Sequence, residues 1–355
     1  MIVPDALEAE AYSALGDRPL LMLDARAEGV AETVRGTRAI LIGLDADGIL
    51  PTIDPAAFDV LLTIAPDPPA PWVHIPVRHW TDHLARLEAT VRRCPVAAQT
   101  AMRTLRIAQV LPFDLALEAE SHAYSMLLAG AEFRRWRAGR IGGDARHDPR
   151  EPRLRIVRDA DQVTITLDHP PSRNALAAPL RDQLFEALAA VLDDPSAPRL
   201  MLEGAGPCFS VGGDLQEFGA ARDVAVAHVI RTERSCVRLM HQLGVRATVR
   251  VHGACIGSGL EIAASAPRRI AAPGAWFQLP ELSMGLIPGA GGTVSVAQAI
   301  GRHRTAWMLL SGNRLSAATG LRWGLVTTLD TGLDTGLGTR LGTGLETVLK
   351  RGLPA

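Results

Sequence analysis

The chain has 355 residues, of which 47% are hydrophobic and 21% are charged. This composition predicts a packed protein of about two domains and excludes a disordered chain. The formal net charge is −1, so no basic excess favours nucleic acid as a partner. No apolar run is long enough to span a membrane, and the first residues lack the pattern of a signal peptide, so we expect a cytoplasmic protein.

The four cysteines are widely spaced and form no metal-ligand pattern, so we expect reduced thiols and no metal site. They are Cys94, Cys208, Cys236 and Cys255.

Residues 1–94 predict a small α/β domain. Apolar runs of strand length occur at 20–24, 39–44 and 58–64, and a helix-like segment, 28–35, lies between the first two. This alternation is typical of parallel strands joined by crossovers. No residue pattern in this part assigns it a role, and assembly or partner docking is a hypothesis.

The rest of the chain divides by composition. Apolar residues recur at helical spacing over 95–140, and a linker rich in glycine, proline and charge follows at 141–152. Strand and helix patterns then alternate through a catalytic core at 153–330. The tail, 331–355, carries leucines separated by glycine and threonine, which predicts either a frayed end or one weak helix.

Three glycine-bearing segments of this core are candidates for chemistry. They span 208–215, 252–262 and 277–293. Glycines that follow a strand allow backbone N–H groups to point at a ligand, and two such groups can converge on one oxygen as an oxyanion hole. Close packing between a strand and a helix is the alternative explanation for each segment taken alone.

Two carboxylates strengthen the chemical interpretation. Glu261 lies in an otherwise apolar run, and Glu281 follows Pro280 at the edge of another. Carboxylates in apolar surroundings are either buried in pairs or used for general acid–base catalysis.

Taken together, these segments resemble the enoyl-CoA hydratase/isomerase (crotonase) family. The resemblance runs from about 163 to 326 and includes Arg-Asn-Ala-Leu at 173–176, Phe-Ser-Val-Gly-Gly-Asp-Leu at 209–215, the Gly-Ser-Gly and Glu of 257–261, and Pro-Glu at 280–281 with Pro-Gly-Ala-Gly-Gly at 288–292. It implies an α/β fold with a crotonase-like ββα spiral core, here preceded by an N-terminal α/β plus helical extension.

The resemblance also implies a site. The backbone N–H groups of Gly213 and Ser258 would form the oxyanion hole, although the second position is commonly glycine in the family. Glu261 and Glu281 would be the acid/base pair that adds water to a 2-enoyl-CoA thioester. The residues implied to line the coenzyme A arm are Arg173, Ala175, Leu176, Gly212, Asp214, Leu215 and Gly257.

An acyl-CoA of fatty acid or aromatic acid metabolism is therefore the implied partner. Coenzyme A would be part of this substrate, with no tightly bound cofactor, in a homotrimer or hexamer. An enoyl-CoA isomerase, a C–C lyase or hydrolase on the same fold, and a catalytically silent subunit that binds CoA esters remain alternatives.

The end of the chain departs from the family, which normally continues into helices that cover the acyl pocket. Residues 95–140 resemble those missing helices in apolar spacing and order. We therefore hypothesise a permuted arrangement, in which the lid helices precede the core; an unrelated helical linker is the alternative.

Overall fold

The computed structural model describes residues 9–27, 37–139 and 153–331. Its first unit is a four-stranded parallel sheet whose strands follow one another in chain order. The strands are β1 (Leu20–Asp24), β2 (Ile40–Asp45), β3 (Val60–Thr63) and β4 (Val73–His74). The three strands predicted here are present. The predicted helix at 28–35, the linker 141–152 and the tail beyond 331 lie outside the described residues.

Four helices follow this sheet, and the first of them was not predicted. They are α1 (Trp80–Arg93), α2 (Pro95–Ala108), α3 (Phe113–Leu128) and α4 (Ala131–Ala138). Pro95 occupies the first turn of α2, where its missing N–H costs nothing, and it prevents α1 from continuing. Leu87 and Val91 of α1 and Ala101 and Leu105 of α2 are buried, so apolar stripes dock both helices on the rest of the chain.

The core is built around a six-stranded sheet. In spatial order its strands are β13 (Thr328–Leu329), β10 (Arg268–Ala271), β8 (Ala247–Val251), β7 (Arg199–Gly204), β6 (Gln162–Asp168) and β5 (Arg153–Asp159). All neighbours are parallel except β5 and β6, which form an antiparallel pair. Parallel neighbours require crossover connections, and α5 (Ala178–Asp193) connects β6 to β7.

A second, smaller sheet turns the core into a spiral. Its strands are β12 (Leu315–Ser316), β11 (Trp276–Gln278) and β9 (Ala254–Ile256), and the adjoining helices are α6 (Val224–Glu233), α7 (Cys236–Leu243), α8 (Ser258–Ala264), α9 (Gly292–Ile300), α10 (Arg302–Ser311) and α11 (Ala317–Trp323). Strand β8 pairs with β10 while β9 pairs with β11. The units β8-β9-α8 and β10-β11-α9 are therefore successive ββα turns of one spiral.

The N-terminal unit is docked on the core through α10. The guanidinium of Arg302 donates to the backbone carbonyl of Phe58, and that of Arg304 donates to the carbonyl of Trp72. Both arginines are buried. A continuous cluster of buried apolar side chains runs from Ile42 of the four-stranded sheet to Ile165 of the six-stranded sheet. Whether 1–94 and 153–330 are separate domains stays a prediction. No helix of the described ranges is both long and apolar enough to cross a membrane.

Candidate active site

The three glycine-bearing segments lie side by side. The backbone of Ser210 pairs with β9, donating to the carbonyl of Ala254 at 3.2 Å and accepting from the N–H of Ile256 at 3.1 Å. Beyond β9, the N–H of Gly257 donates to the carbonyl of Gln278 at 3.0 Å. Because the first segment pairs with the second and the second with the third, their glycine-bearing ends meet at one place.

Gly213 and Ser258 face one another at this meeting point. A Cβ atom added to Gly213 would lie 3.9 Å from the Ser258 Oγ. Neither backbone N–H has a hydrogen-bond acceptor within the described part of the chain. Gly212 is required for this approach: its φ is +87°, and an added Cβ would lie 2.7 Å from the Ile256 carbonyl oxygen. The two N–H groups are thus available to one ligand oxygen, as an oxyanion hole requires.

Glu261 projects from α8 and is buried. Its Oε2 accepts hydrogen bonds from the backbone N–H groups of Ala290 at 2.7 Å and Gly292 at 2.8 Å. Burial raises the pKa of Glu261 to about 7, against the opposing effect of these two donors. An added Cβ on Gly292 would lie 2.7 Å from the Glu261 Cγ, so glycine at 292 leaves room for this side chain.

Glu281 has a different environment. It begins a short 3-10 helix after β11 and is buried, and its Oε2 has no hydrogen-bond partner in the described ranges. Burial raises the pKa of Glu281 well above its usual value, and the charges of Glu261 and Glu120 raise it further. An added Cβ on Gly257 would lie 3.0 Å from the Glu281 Oε1, so this carboxyl group lies against the second glycine segment.

A third buried carboxylate, Glu120, was not anticipated from the sequence. It comes from α3, before the core. Its Oε1 accepts from the N–H of Gly291 at 2.6 Å, and its Oε2 accepts from the N–H of Thr293 at 2.7 Å and from the Thr293 hydroxyl at 2.6 Å. Burial raises the pKa of Glu120 to about 8, the Glu261 charge adds to this effect, and the three donors oppose it.

These groups line one cavity of about 360 Å³. Nine of the eleven predicted site residues are on its wall: Leu176, Gly212, Gly213, Asp214, Leu215, Gly257, Ser258, Glu261 and Glu281. Arg173 and Ala175 are not on it. The Arg173 side chain is exposed, while its backbone carbonyl accepts from the N–H of Val211 at 3.2 Å, so its observed contact is with the loop before Gly212.

The opposite wall of the cavity is helical. Leu117, Glu120 and Tyr124 of α3 and Arg231 of α6 lie on it. The sequence carried a signal for Glu120, because it follows the buried Ala116 by one helical turn on an apolar stripe, where a carboxylate needs a partner. Arg231 carried no such signal, since an isolated arginine on a helix is usually exposed.

Three buried carboxylates around a cavity with two unused N–H groups are suited to acid–base chemistry at a carbon next to a carbonyl. The enoyl-CoA hydratase/isomerase family model matches residues 159–334. Over 174 residues the chain is 32% identical to the 2,3-dehydroadipyl-CoA hydratase of Escherichia coli, covering 49% of this chain and 68% of that protein. The chain belongs to the enoyl-CoA hydratase/isomerase family, and the predicted α/β fold with a crotonase-like core is confirmed.

Other relatives match over the same region. The enoyl-CoA isomerase/hydratase fer4 of Mycosarcoma maydis is 30% identical over 171 residues, 46% of this chain. The chain spans 62% of that relative and 56% of a probable mitochondrial enoyl-CoA hydratase 2 of Arabidopsis thaliana. A solved structure of a putative enoyl-CoA hydratase/isomerase from Mycobacterium abscessus has a TM-score of 0.47 and 32% identity, covering 50% of this chain and 70% of that one.

Proposed function

We propose that the protein adds water to a 2-enoyl-CoA thioester, or removes it in the reverse direction, by two-glutamate acid–base catalysis. The observation that carries this proposal is the unequal environment of Glu261 and Glu281 on one cavity. Glu261 is held by two N–H donors, which favour its charged form, whereas the Glu281 Oε2 is buried with no partner, which favours its neutral form.

These environments support the following roles. Glu261 takes a proton from water as the water oxygen attacks the β-carbon of the substrate. Glu281, protonated in the resting state, gives its proton to the α-carbon. The negative charge that develops on the thioester oxygen is stabilised by the N–H groups of Gly213 and Ser258. The buried Ser258 Oγ has no partner among the described residues and adds a third donor beside this oxygen.

We infer that the coenzyme A arm leaves the cavity past Leu176, Asp214 and Leu215. These residues line the same cavity as the two glutamates. Leu176 is fixed in place because its N–H donates to the carbonyl of Gly212 at 2.8 Å. One hydrogen bond therefore connects this wall to the loop that carries the oxyanion-hole glycine.

We also infer that α2, α3 and α4 serve as the lid of this cavity and replace the helices that the family carries after its core. Leu117, Glu120 and Tyr124 of α3 lie on the cavity wall, which supports this inference over an unrelated linker. The hydrogen bonds that Glu120 accepts from the N–H groups of 291 and 293 attach α3 to the same turn that holds Glu261. A lid attached in this way excludes water from the reacting carbons.

The test is turnover of a panel of 2-enoyl-CoA thioesters, followed by the loss of conjugated-thioester absorbance, for the wild type and for Glu261→Gln and Glu281→Gln. We expect each variant to lose about 10²- to 10⁴-fold in kcat. Circular dichroism and thermal unfolding confirm that the variants fold. A Glu118→Gln variant is the control, because Glu118 is exposed on α3, and its rate should match that of the wild type.

A 3-enoyl-CoA added to this panel separates hydration from isomerisation. A 3-enoyl-CoA that is converted to its 2-enoyl isomer by the wild type and by one glutamate variant would identify an isomerase that needs a single carboxylate. Binding of CoA esters without turnover of any member would overturn the enzymatic proposal and leave a binding role.

A further inference from the structure

Arg231 places a positive charge on the helical wall of the cavity. It lies near the end of α6 and lines the cavity together with Tyr124 of α3. Its guanidinium carbon is 4.6 Å from the centre of the Tyr124 ring. This stacking holds the planar group against one face of the aromatic side chain.

The hydrogen bonds of Arg231 use only one end of its guanidinium. Nη1 donates to the hydroxyls of Ser121 at 2.8 Å and Ser125 at 3.1 Å. Neither Nε nor Nη2 has a partner among the described residues, and neither is among the buried atoms that lack one. Both nitrogens therefore retain some exposure, on a residue that lines the cavity. Together they form the edge of the guanidinium that binds a carboxylate through two parallel hydrogen bonds.

No protein carboxylate forms an ion pair with Arg231 within the described ranges. The neighbouring arginines differ: Arg181 pairs with Asp182 at 2.9 Å, and Arg234 pairs with Glu186 at 2.8 Å. The Glu120 charge acts on Arg231 through space, but both Glu120 oxygens accept hydrogen bonds from the turn at 291–293 and none from Arg231. Burial lowers the pKa of Arg231, which means that the charged form has lost part of its solvation. An anionic ligand in the cavity would stabilise that charge.

The position of Arg231 relative to the reaction follows from contacts already described. Its ring partner Tyr124 lies against Gly289, where an added Cβ would be 2.6 Å from the ring. The next residue, Ala290, donates its N–H to Glu261. The guanidinium therefore lies against the ring that contacts this turn, on the same cavity as Glu261.

We propose that Arg231 binds a carboxylate at the far end of the substrate's acyl group, so that the preferred substrate is a 2-enoyl-CoA of a dicarboxylic acid. This inference rests on the proposed hydratase function. A half-buried guanidinium without a counterion is costly, and a site built to pair with an anion discriminates strongly against an analogue that lacks it. An unsubstituted acyl chain of the same length would leave Nε and Nη2 unpaired.

The test compares two substrates of equal chain length, a six-carbon 2-enoyl-CoA with a terminal carboxylate and 2-hexenoyl-CoA, on the wild type and on Arg231→Met. We expect the wild type to favour the carboxylated substrate in kcat/KM. The variant should lose about 10- to 100-fold on that substrate and retain or gain activity on 2-hexenoyl-CoA. Arg231→Lys should restore part of the loss, because it keeps the charge without the fork.

A double variant, Ser121→Ala with Ser125→Ala, controls for loosened docking of α3 on α6, since it removes the partners of Nη1 and keeps the guanidinium. This double variant should change kcat/KM for both substrates by the same factor. Equal losses on both substrates in Arg231→Met, or a wild-type preference for 2-hexenoyl-CoA, would overturn the inference and leave the hydratase proposal intact.

Binding separates the two proposals in the other direction. Adipyl-CoA and hexanoyl-CoA are saturated and need no turnover, so their dissociation constants are measured by calorimetry on the same proteins. If neither enoyl substrate is hydrated but adipyl-CoA binds more tightly in an Arg231-dependent way, the hydratase proposal fails and the carboxylate site stands. Equal affinities for the two saturated esters would contradict the carboxylate site.

Discussion

Glu120 and Glu261 bind alternate backbone N–H groups of one turn. Glu261 accepts from residues 290 and 292, and Glu120 accepts from residues 291 and 293. Four successive amides before and at the start of α9 are thereby satisfied by two carboxylates from opposite sides. Because the turn lies between them, a displacement of either glutamate is transmitted to the other through backbone atoms.

Glu120→Gln should therefore affect catalysis without touching the substrate. A glutamine would place an NH₂ group against the N–H of Gly291 or Thr293, and the turn that positions Glu261 would shift. We expect kcat to fall about 10-fold or more. The pKa of Glu120, about 8, lies above that of Glu261, about 7, so Glu120 is mostly neutral while Glu261 titrates, and the acid side of the pH–rate profile should keep its midpoint.

The measurement is kcat against pH for Glu120→Gln, with Glu118→Gln on the exposed face of α3 as the control. We expect the rate to fall at all pH values, because the turn that positions Glu261 is displaced, and the midpoint to stay in place. Full activity of Glu120→Gln would contradict the coupling of the two carboxylates through the turn.

The wild-type pH–rate profile should be bell-shaped. Glu261 must be ionised to accept a proton, and its pKa is raised to about 7, so kcat/KM should rise as the pH increases through about 7. Glu281 must be protonated, and its pKa is raised well above the usual value, so kcat/KM should fall at higher pH. A profile that keeps rising through the alkaline range would contradict the acid role of Glu281.

Stability should decrease with rising pH over the range in which kcat/KM rises. The folded-state pKa values of Glu261 and Glu120, about 7 and about 8, lie above the usual 4.5. Between these values the folded state binds more protons than the unfolded state, so the free energy of unfolding should fall as the pH rises from about 4.5 to about 8. Urea denaturation at several pH values measures this slope, and Glu261→Gln should reduce it.

Ser258→Ala tests the hydroxyl beside the oxyanion hole. The Oγ is buried and unpartnered in the described structure, so its removal should cost no stability, and the thermal midpoint should stay the same or rise. If the hydroxyl donates to the thioester oxygen in the transition state, kcat should fall about 10-fold or more. The matched control is Ser265→Ala in the residue after α8, whose hydroxyl donates to the Ile262 carbonyl at 2.7 Å. Full activity of Ser258→Ala would exclude this donor.

Gly212→Ala tests the close approach of the first two glycine segments. The φ of Gly212 is +87°, and an added Cβ would lie 2.7 Å from the Ile256 carbonyl oxygen, so the loop must move away from Ser258 and the oxyanion hole should open. We expect activity to fall about 100-fold. Gly244→Ala is the control, because its φ is also positive, at +54°, but nothing lies within 4 Å of an added Cβ. It should cost stability alone.

The sequence predicted those parts of the site that lie within one ββα turn or directly follow a strand. The glycine segments at 208–215 and 252–262 carried a local signal, since backbone N–H groups at strand ends need glycine nearby. The strands of the first sheet were found because apolar runs of strand length do not depend on distant partners.

The contribution of α3 could not be predicted in the same way. Glu120 meets Gly291 across 171 positions of the chain, and no local pattern fixes which helix lies against which turn. Helix α1 was not predicted because residues 1–94 were interpreted from apolar runs of strand length. The apolar residues of α1 form no such run, since charged residues separate them. The role proposed for Arg231 depends on its Nε and Nη2 having no hydrogen-bond partner in the described structure, which the sequence does not show.

The attachment of α3 to the turn at 290–293 also has a consequence for the order of folding. Contacts between residues so far apart in sequence carry a large loop-closure cost and form late, after the local ββα units have collapsed. During synthesis, Thr293 must leave the ribosome before Glu120 can form all of its hydrogen bonds. Until then α3 carries a carboxylate without its partners, and the turn that holds Glu261 is completed only in the last stage of folding.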